Sequence, residues 1–285
     1  MNLSEKDENL IAHLKQKAVQ IRKMLLKLAY CAGSLHLGGD LSMTDMMVGA
    51  FYHAMRHKPL EPNWEDRDRF VLSKGHGAGC LYAVLADQGY FPAEELWEDA
   101  GKPLTHFGTH PCKGKVPGIE VSTGSLGHGL SIAVGMALAA RFKKQTHRIL
   151  TLIGDGESQE GSIWEAAMAA ASYQLDNLIC LVDRNRLSLD GWTEDLMALE
   201  PLDKKWEAFG WRVIKIDGND MEQVIDALIE ASAQNQKKPT VILGYTTKGK
   251  GIPFMENDPK WHSGTVDAKM LEKCCECLEL TDPQN

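Results

Sequence analysis

The sequence contains no long apolar segment and no excess of positive charge. A membrane-spanning helix needs a run of about 18 apolar residues, and none occurs among the 285 residues. Lysine and arginine number 31 against 39 aspartate and glutamate residues, so the formal net charge is −8. The N-terminal segment MNLSEKDENL is polar and acidic, unlike a secretory signal. These features predict a cytoplasmic protein whose main partner is neither a membrane nor a nucleic acid.

Several familiar binding motifs are also missing. The seven cysteines are an odd number, which suits a reducing compartment better than a disulfide framework. The cluster of Cys274, Cys275 and Cys277 lacks a second cysteine or histidine pair at zinc spacing, which argues against a metal there. Gln159 stands where a dinucleotide-binding fingerprint needs glycine, and the Gly-Lys-Ser/Thr of a P-loop does not follow.

Short apolar segments alternate with glycine-rich loops and helical patterns along the chain. Strands are predicted over 69–72, 148–153, 177–182, 211–216 and 240–246, and helices near 4–30, 43–55, 78–88, 161–173 and 220–235. Because these strands are continuously apolar, both of their faces should be buried. This is typical of an α/β fold with a parallel sheet flanked by helices on both faces. We expect a single domain over residues 1–285, with 270–285 as a tail or a partner contact.

Polar side chains follow two of the predicted strands. Asp155 lies between Gly154 and Gly156 at the end of one strand, and Asn185 follows the next strand. One strand-helix-strand unit spans about 30 residues, so the two side chains should be neighbours. Carboxylate and amide oxygens suit Mg²⁺ or Ca²⁺, and Mg²⁺ with few protein ligands commonly also binds phosphates. The alternative interpretation is a pair of ordinary turn residues.

Histidines are concentrated in the polar loops. Six of the ten histidines lie in or near loops rich in glycine, serine and threonine: His36, His76, His106, His110, His128 and His262. A single loop histidine is usually a surface residue. Several at one end of one sheet predict a polar pocket with the capacity for proton transfer.

Five segments together resemble the transketolase family. The segment GDGESQEGSIWEAAM, continued by LDNLICLVDRNRLSLDG, resembles its thiamine-diphosphate motif. Further similarity lies in GSLHLGGDLSM (33–43), RDRFVLSKGHGAGCLYAVLADQGY (67–90), THPCKGKVPGIEVSTGSLGHGLSIAVGMALA (109–139) and TTKGKGIPFMENDPKWHSG (246–264). The chain resembles the N-terminal subunit of a split transketolase, which implies a thiamine-diphosphate-binding fold that holds the diphosphate. Leu37, His128 and Arg184 depart from the commonest family pattern.

The resemblance implies a role for each matching residue. The metal ligands for Mg²⁺, with Ca²⁺ as a substitute, would be Asp155, Asn185 and the backbone carbonyl of Leu187. The residues near the cofactor would be His76, Gly124, Ser125, Leu126, Gly156, Asn185 and Lys248. The residues in the substrate channel or facing the partner would be His36, His110, His262 and Glu160.

The resemblance also implies an activity that needs a second chain. A two-carbon ketol unit would move from a ketose phosphate to an aldose phosphate, as in pentose phosphate metabolism, only together with a separate C-terminal subunit. The expected assembly is a heterotetramer with two copies of each chain. The alanine-rich segment 165–172 would lie at a subunit interface, or simply in the core. Two alternatives stay open: another split thiamine-diphosphate enzyme, such as the α chain of a 2-oxo acid dehydrogenase, and a non-catalytic cofactor-binding subunit.

Overall fold

Five parallel strands form the sheet at the centre of the molecule. The computed structural model describes residues 8–233 and 237–280. The strands are β1 (Arg69–Leu72), β2 (Ile149–Gly154), β3 (Leu178–Arg184), β4 (Arg212–Asp217) and β5 (Thr240–Tyr245). Their order in the sheet is β1-β2-β3-β5-β4, and every neighbouring pair is parallel. All five predicted strands are confirmed.

Helices connect the strands and cover the sheet. In the described part of the chain they are α1 (Glu8–Ala32), α2 (Leu37–Gly49), α3 (Ala78–Asp87), α4 (Ala93–Asp99), α5 (His128–Phe142), α6 (Gly161–Ser172), α7 (Thr193–Leu196), α8 (Leu202–Ala208), α9 (Met221–Ala231) and α10 (Ala268–Leu280). Of these, α1, α3, α6 and α9 match predicted helices. Residues 4–7 and 234–235 of the predicted helices, and 281–285 of the predicted tail, lie outside the described residues. No helix in the described ranges is long and apolar enough to cross a membrane.

Alternate strand residues pack on opposite faces of the sheet. Leu150 and Leu152 of β2 belong to one apolar cluster, which they share with residues of α1, α2, α3 and α9. Ile149 and Ile153 of the same strand belong to a second cluster with residues of α5, α6 and α8. Because side chains alternate along a strand, two helical layers are needed to cover both faces. The predicted α/β fold class is therefore confirmed.

Strand β4 differs from the expectation that every strand is buried on both faces. Lys215 and Asp217 are exposed, and Val213 and Ile214 are only partly buried. The reason is its position at the edge of the sheet, beside β5 alone. The apolar residues of this segment correctly predicted a strand, but they wrongly predicted that both of its faces are buried.

Helix α2 begins six residues earlier than predicted. Helix was predicted from about 43, after a glycine-rich loop, but α2 starts at Leu37 and continues as a π-helical turn from Ala50. The glycines of this segment serve close packing rather than a turn. A Cβ atom at Gly38 would lie 2.7 Å from the backbone carbonyl oxygen of Trp261. All thirteen residues of α2 are buried, so this helix lies at the centre of the molecule.

Residues 270–280 are helical, which corrects the expectation of a tail there. They belong to α10, which packs against α1. Cys274 and Leu278 lie on the same face of α10, four residues apart, and both are buried in the core. The burial of Cys274 raises the pKa of its thiol to about 12, which suits a packing residue rather than a reactive one.

The packing of α10 generates a stability prediction. Leu278→Ala should lower the free energy of unfolding by about 2–5 kcal/mol, because it empties a site where the leucine is 1% exposed. The matched control is Leu280→Ala on the same helix, where the leucine is 87% exposed and the change should stay within about 0.5 kcal/mol. Denaturant unfolding measures both. Equal small effects would show that this helix does not contribute to the fold.

Candidate active site

A cavity of about 450 Å³ opens where the strands end. It lies at the carboxyl ends of β2 and β3, the usual place for ligands in parallel sheets. The predicted site residues that line it are His36, His76, Gly124, Leu126, Asp155, Gly156, Asn185, Leu187, Lys248 and His262. The structure therefore brings most of the predicted site together.

The predicted metal ligands lie at the ends of two adjacent strands. Gly154 of β2 is paired with Asp183 of β3, so Asp155 and Asn185 follow at neighbouring positions. The Asp155 carboxylate accepts hydrogen bonds from the Gly156 amide at 2.7 Å and from the Arg184 guanidinium at 3.2 Å. The Asn185 side chain donates to Asp183 at 3.0 Å, which fixes its amide orientation.

The electrostatics of this group favour a bound cation. Burial, followed by the charge of Asp183, raises the pKa of Asp155, although Arg184 opposes this shift. The Lys248 ammonium donates to the backbone carbonyls of Leu187 at 3.0 Å and Ser188 at 2.9 Å, so these oxygens already face a positive charge. The predicted ligand atoms are all oxygens, and the described residues contain no group of three or more histidine, cysteine or acidic side chains placed to hold a metal ion by themselves. One carboxylate with amide and carbonyl oxygens fits Mg²⁺ that is also held by phosphate.

A buried ion pair that sequence reasoning missed forms the floor of the cavity. Lys74 Nζ lies 2.6 Å from Asp183 Oδ2 and donates to the Gly39 carbonyl at 3.2 Å. Burial opposes both charges, but each partner stabilises the other, so the pKa of Lys74 is raised and the pKa of Asp183 is lowered. Both residues lie in segments that resemble the transketolase family, Lys74 in SKGHG and Asp183 in DRNR, so the sequence offered a reason to consider them. Only the fold shows that the two segments meet.

Four of the predicted histidines form one cluster above this floor. The ring centroids of His36, His76 and His262 lie 5.3–5.6 Å from one another. The ring of His110 lies 6.5 Å from His36 and contacts the position of Gly124, where a Cβ atom would be 3.0 Å from His110 Cδ2. Separate loops thus bring these four histidines together, while their roles stay predictions.

Backbone hydrogen bonds hold these loops in place. Leu35 and Gly264 exchange two hydrogen bonds, of 3.1 and 2.9 Å, which join the loops that carry His36 and His262. The Gly249 amide donates to the Gly38 carbonyl at 3.0 Å, which ties the Lys248 loop to α2. Main-chain hydrogen bonds thus help to position His36, His262 and Lys248 relative to one another.

Partial burial lowers the pKa values of three histidines in the cluster, which favours their neutral forms. Burial and the nearby Lys74 lower the pKa of His76 to about 2, and burial and Lys248 lower the pKa of His262 to about 4. The pKa of His36 is also lowered, chiefly by burial. Lys248 Nζ lies 3.0 Å from His262 Nδ1. Because an ammonium only donates, Nδ1 accepts, and Nε2 carries the proton of His262.

Five of the residues singled out in the sequence do not line the cavity: His106, His110, Ser125, His128 and Glu160. Their roles stay predictions. His110 lies beside its mouth, as described above. Ser125 and Glu160 are exposed, and Glu160 directly precedes α6. His128 is exposed and its Nδ1 lies 3.3 Å from Ser125 Oγ, while His106 is exposed near Asp99.

Comparison with known proteins agrees with this geometry. Residues 14–282 match the family model described as "Transketolase, thiamine diphosphate binding domain". The chain belongs to the transketolase family. The predicted resemblance to the N-terminal subunit of a split transketolase, and with it the enzyme class, is thereby confirmed, since relatives of similar length align along nearly their whole sequence.

Two such relatives and one solved structure illustrate the match. An apulose-4-phosphate transketolase subunit of Phocaeicola vulgatus is 43% identical over 91% of this chain and 92% of its own length. The 6-deoxy-6-sulfo-D-fructose transketolase subunit of Clostridium sp. is 43% identical over 93% and 96%. The crystal structure of Campylobacter jejuni transketolase superposes with a TM-score of 0.87 at 32% identity, covering 93% of this chain and 42% of that longer chain.

The histidine cluster generates a prediction about pH. Because the pKa of His262 is lowered to about 4, its imidazole should stay neutral and show no titration between pH 5 and 8. In Lys248→Met the charge that helps to lower this pKa is removed, so the pKa of His262 should rise toward its ordinary value without reaching it, since burial remains. NMR of the histidine ring protons in the metal-free protein measures both. A His262 that titrates near pH 6.5 in the wild type would contradict the burial argument.

Proposed function

We propose that this transketolase chain binds the diphosphate end of thiamine diphosphate through Mg²⁺ and transfers a two-carbon ketol unit together with a C-terminal subunit. The observation that carries the proposal is the cavity at the ends of β2 and β3. The oxygen-bearing residues Asp155, Asn185 and Leu187 line the same cavity as the histidines His36, His76 and His262. A cation-diphosphate site and a proton-transfer site are thus combined in one space.

The floor of the cavity suits a diphosphate. Asp155, Asn185 and the Leu187 carbonyl would hold Mg²⁺, or Ca²⁺ as a substitute, and the two lysines Lys74 and Lys248 add positive charge beside it. Lys248, whose pKa burial lowers to about 8, donates to the carbonyls of the metal loop. We expect it to turn to the diphosphate when Mg²⁺ takes the Leu187 carbonyl, since two cations do not share one acceptor favourably.

The histidines suit proton movements at sugar hydroxyls. Thiamine diphosphate, when bound, supplies the nucleophilic carbon that attacks a ketose carbonyl and carries the two-carbon unit. His262 would donate from Nε2 to a substrate hydroxyl or carbonyl oxygen, because Lys248 occupies its Nδ1. His36 and His76, neutral through burial, would accept or return protons nearby, with His110 at the mouth.

The proposed substrates are anionic ketoses and aldoses. The relatives named above act, by their names, on apulose-4-phosphate and on 6-deoxy-6-sulfo-D-fructose. Both names describe a sugar that carries a phosphate or a sulfo group. We propose the same class of donor here, with an aldose phosphate as the acceptor, as in pentose phosphate metabolism.

The partner would be a C-terminal subunit that covers the open side of the cavity. Apolar side chains are exposed at its rim and just beyond it: Leu189, Trp192, Leu196 and Met197. The exposed Met168 belongs to the alanine-rich segment of α6, and Glu160 precedes that helix. These surfaces support a heterotetramer with two copies of each chain. All seven cysteines lie in the described ranges and are free, which agrees with the proposed cytoplasmic location.

Reconstitution tests the activity. The chain alone should be inactive, and a mixture with the C-terminal subunit, thiamine diphosphate and Mg²⁺ should transfer a two-carbon unit to an aldose phosphate. Both a ketose phosphate and a sulfonated ketose should be offered as donors. Activity of the chain alone would contradict the need for a partner. A complex that binds the cofactor but uses neither donor would favour a non-catalytic subunit instead.

Removal of the carboxylate tests the metal site. Asp155→Ala should abolish Mg²⁺-dependent binding of thiamine diphosphate by the complex, because it deletes the one charged ligand of the oxygen set. Asp66→Ala is the matched control, since Asp66 is an exposed acidic residue just before the amino end of β1. Calorimetric titration with Mg²⁺ and with EDTA measures both variants. An unchanged affinity in Asp155→Ala would refute the metal assignment.

A further inference from the structure

Arg184 is a buried arginine whose guanidinium contacts the predicted metal carboxylate. It ends β3, and its side chain is 1% exposed. Nη1 donates to Asp155 Oδ2 at 3.2 Å and to Thr193 Oγ1 at 2.6 Å. Nη2 lies 2.7 Å from a carboxylate oxygen of Glu194 and 3.0 Å from one of Glu200. One planar group thus joins the end of β2 to the segment 193–200.

The acidic partners of Arg184 organise that segment in turn. Glu194 accepts hydrogen bonds from the backbone amides of Leu199 at 3.0 Å and Glu200 at 3.3 Å. Glu200 accepts from the Leu202 amide at 2.9 Å, at the start of α8. The fold of residues 193–202 is therefore built around carboxylates that the guanidinium holds in place.

The segment 193–200 also contributes a side chain to the cavity. Leu196 lines the cavity. The Thr193 amide donates to the Arg186 carbonyl at 2.9 Å, which closes the loop that carries Leu187. The Asp155 carboxylate and the Leu187 loop are thus both fastened to Arg184, the first directly and the second through Thr193.

The chemistry of the guanidinium explains why arginine stands here. Its donors lie in one plane and can serve several acceptors at once, whereas the lysine ammonium is a compact charge that would not span Asp155, Thr193 and two glutamates. Replacing a group that orients a metal ligand typically lowers metal affinity by about 10–100-fold.

We propose that Arg184 is a positioning residue that orients Asp155 and couples the 193–200 wall of the cavity to the metal site. It touches neither substrate nor cofactor and acts through Asp155 and Thr193. This inference rests on the proposed Mg²⁺-diphosphate site and extends it to the order of a neighbouring segment. The consequence is that metal affinity and the order of residues 193–200 change together when Arg184 is replaced.

The experiment compares Arg184→Met, Arg184→Lys and Thr193→Val by two measurements. The first is amide hydrogen exchange of peptides over 193–200 in the metal-free full chain. The second is the Mg²⁺ concentration that half-saturates thiamine diphosphate binding by the complex, followed by tryptophan fluorescence. Arg184→Met should accelerate exchange in this segment and raise the Mg²⁺ requirement by roughly 10–100-fold. Arg184→Lys should recover part of both effects. Thr193→Val removes the hydroxyl that accepts from Arg184 and donates to Glu194 but leaves the guanidinium in place, so both effects should be smaller than in Arg184→Met.

The control is Arg212→Met. Arg212 begins the edge strand β4, at the end of the parallel sheet opposite to Arg184, and pairs with Glu230, so both readouts should match the wild type. If Arg184→Met does not fold, Thr193→Val carries the same test. Either readout left at its wild-type value in the folded variants overturns the coupling. A wild-type complex without Mg²⁺-dependent cofactor binding would instead refute the proposed function, and the exchange measurement separates the two failures.

Discussion

The buried contact between Lys74 and Asp183 is the interaction on which the rest of the site depends. Asp183 accepts hydrogen bonds from Lys74 and Ser42, both at 2.6 Å, from Asn185 at 3.0 Å and from Thr246. These donors come from the ends of three strands and from α2. Removing two charges from water is costly, so such a pair persists only where further hydrogen bonds satisfy it. This requirement explains why α2 is fully buried although it contains several polar residues, and why the loops after β1, β3 and β5 converge on one point.

Two neighbouring carboxylates at this point each have a cation of their own. Asp183 pairs with Lys74, and the buried Asp155 pairs with Arg184. The carboxylates carry like charges, and the charge of Asp183 contributes to the raised pKa of Asp155. Arg184 opposes this shift, so the two ion pairs together allow two buried carboxylates to lie near each other.

The strands and the Asp155–Asn185 pair were predictable because both follow from local pattern. A parallel sheet brings the carboxyl ends of neighbouring strands together. The spacing of Asp155 and Asn185 along the chain was therefore enough to predict that the two residues are neighbours. The start of α2 was not predictable from the local sequence. Glycines there suggested a loop, but Gly38 lacks a side chain because the backbone of Trp261, more than two hundred positions away in the sequence, packs closely against it. The partner of Lys74 and the contacts of Arg184 were missed for the same cause. Burial of a charge is a property of the packed fold, and a single sequence shows only the charge.

The histidine cluster and the carboxylate floor need opposite environments, and the fold supplies them within one cavity. The floor keeps its ions charged by pairing each with a partner. Above it, burial without a paired carboxylate keeps His76 and His262 neutral, so they can both donate and accept hydrogen bonds. Lys248 joins the two regions, because its ammonium contacts the Leu187 carbonyl at the floor and His262 in the cluster. One cationic side chain therefore links the loop of the predicted metal ligands to the hydrogen bond that fixes the proton on His262.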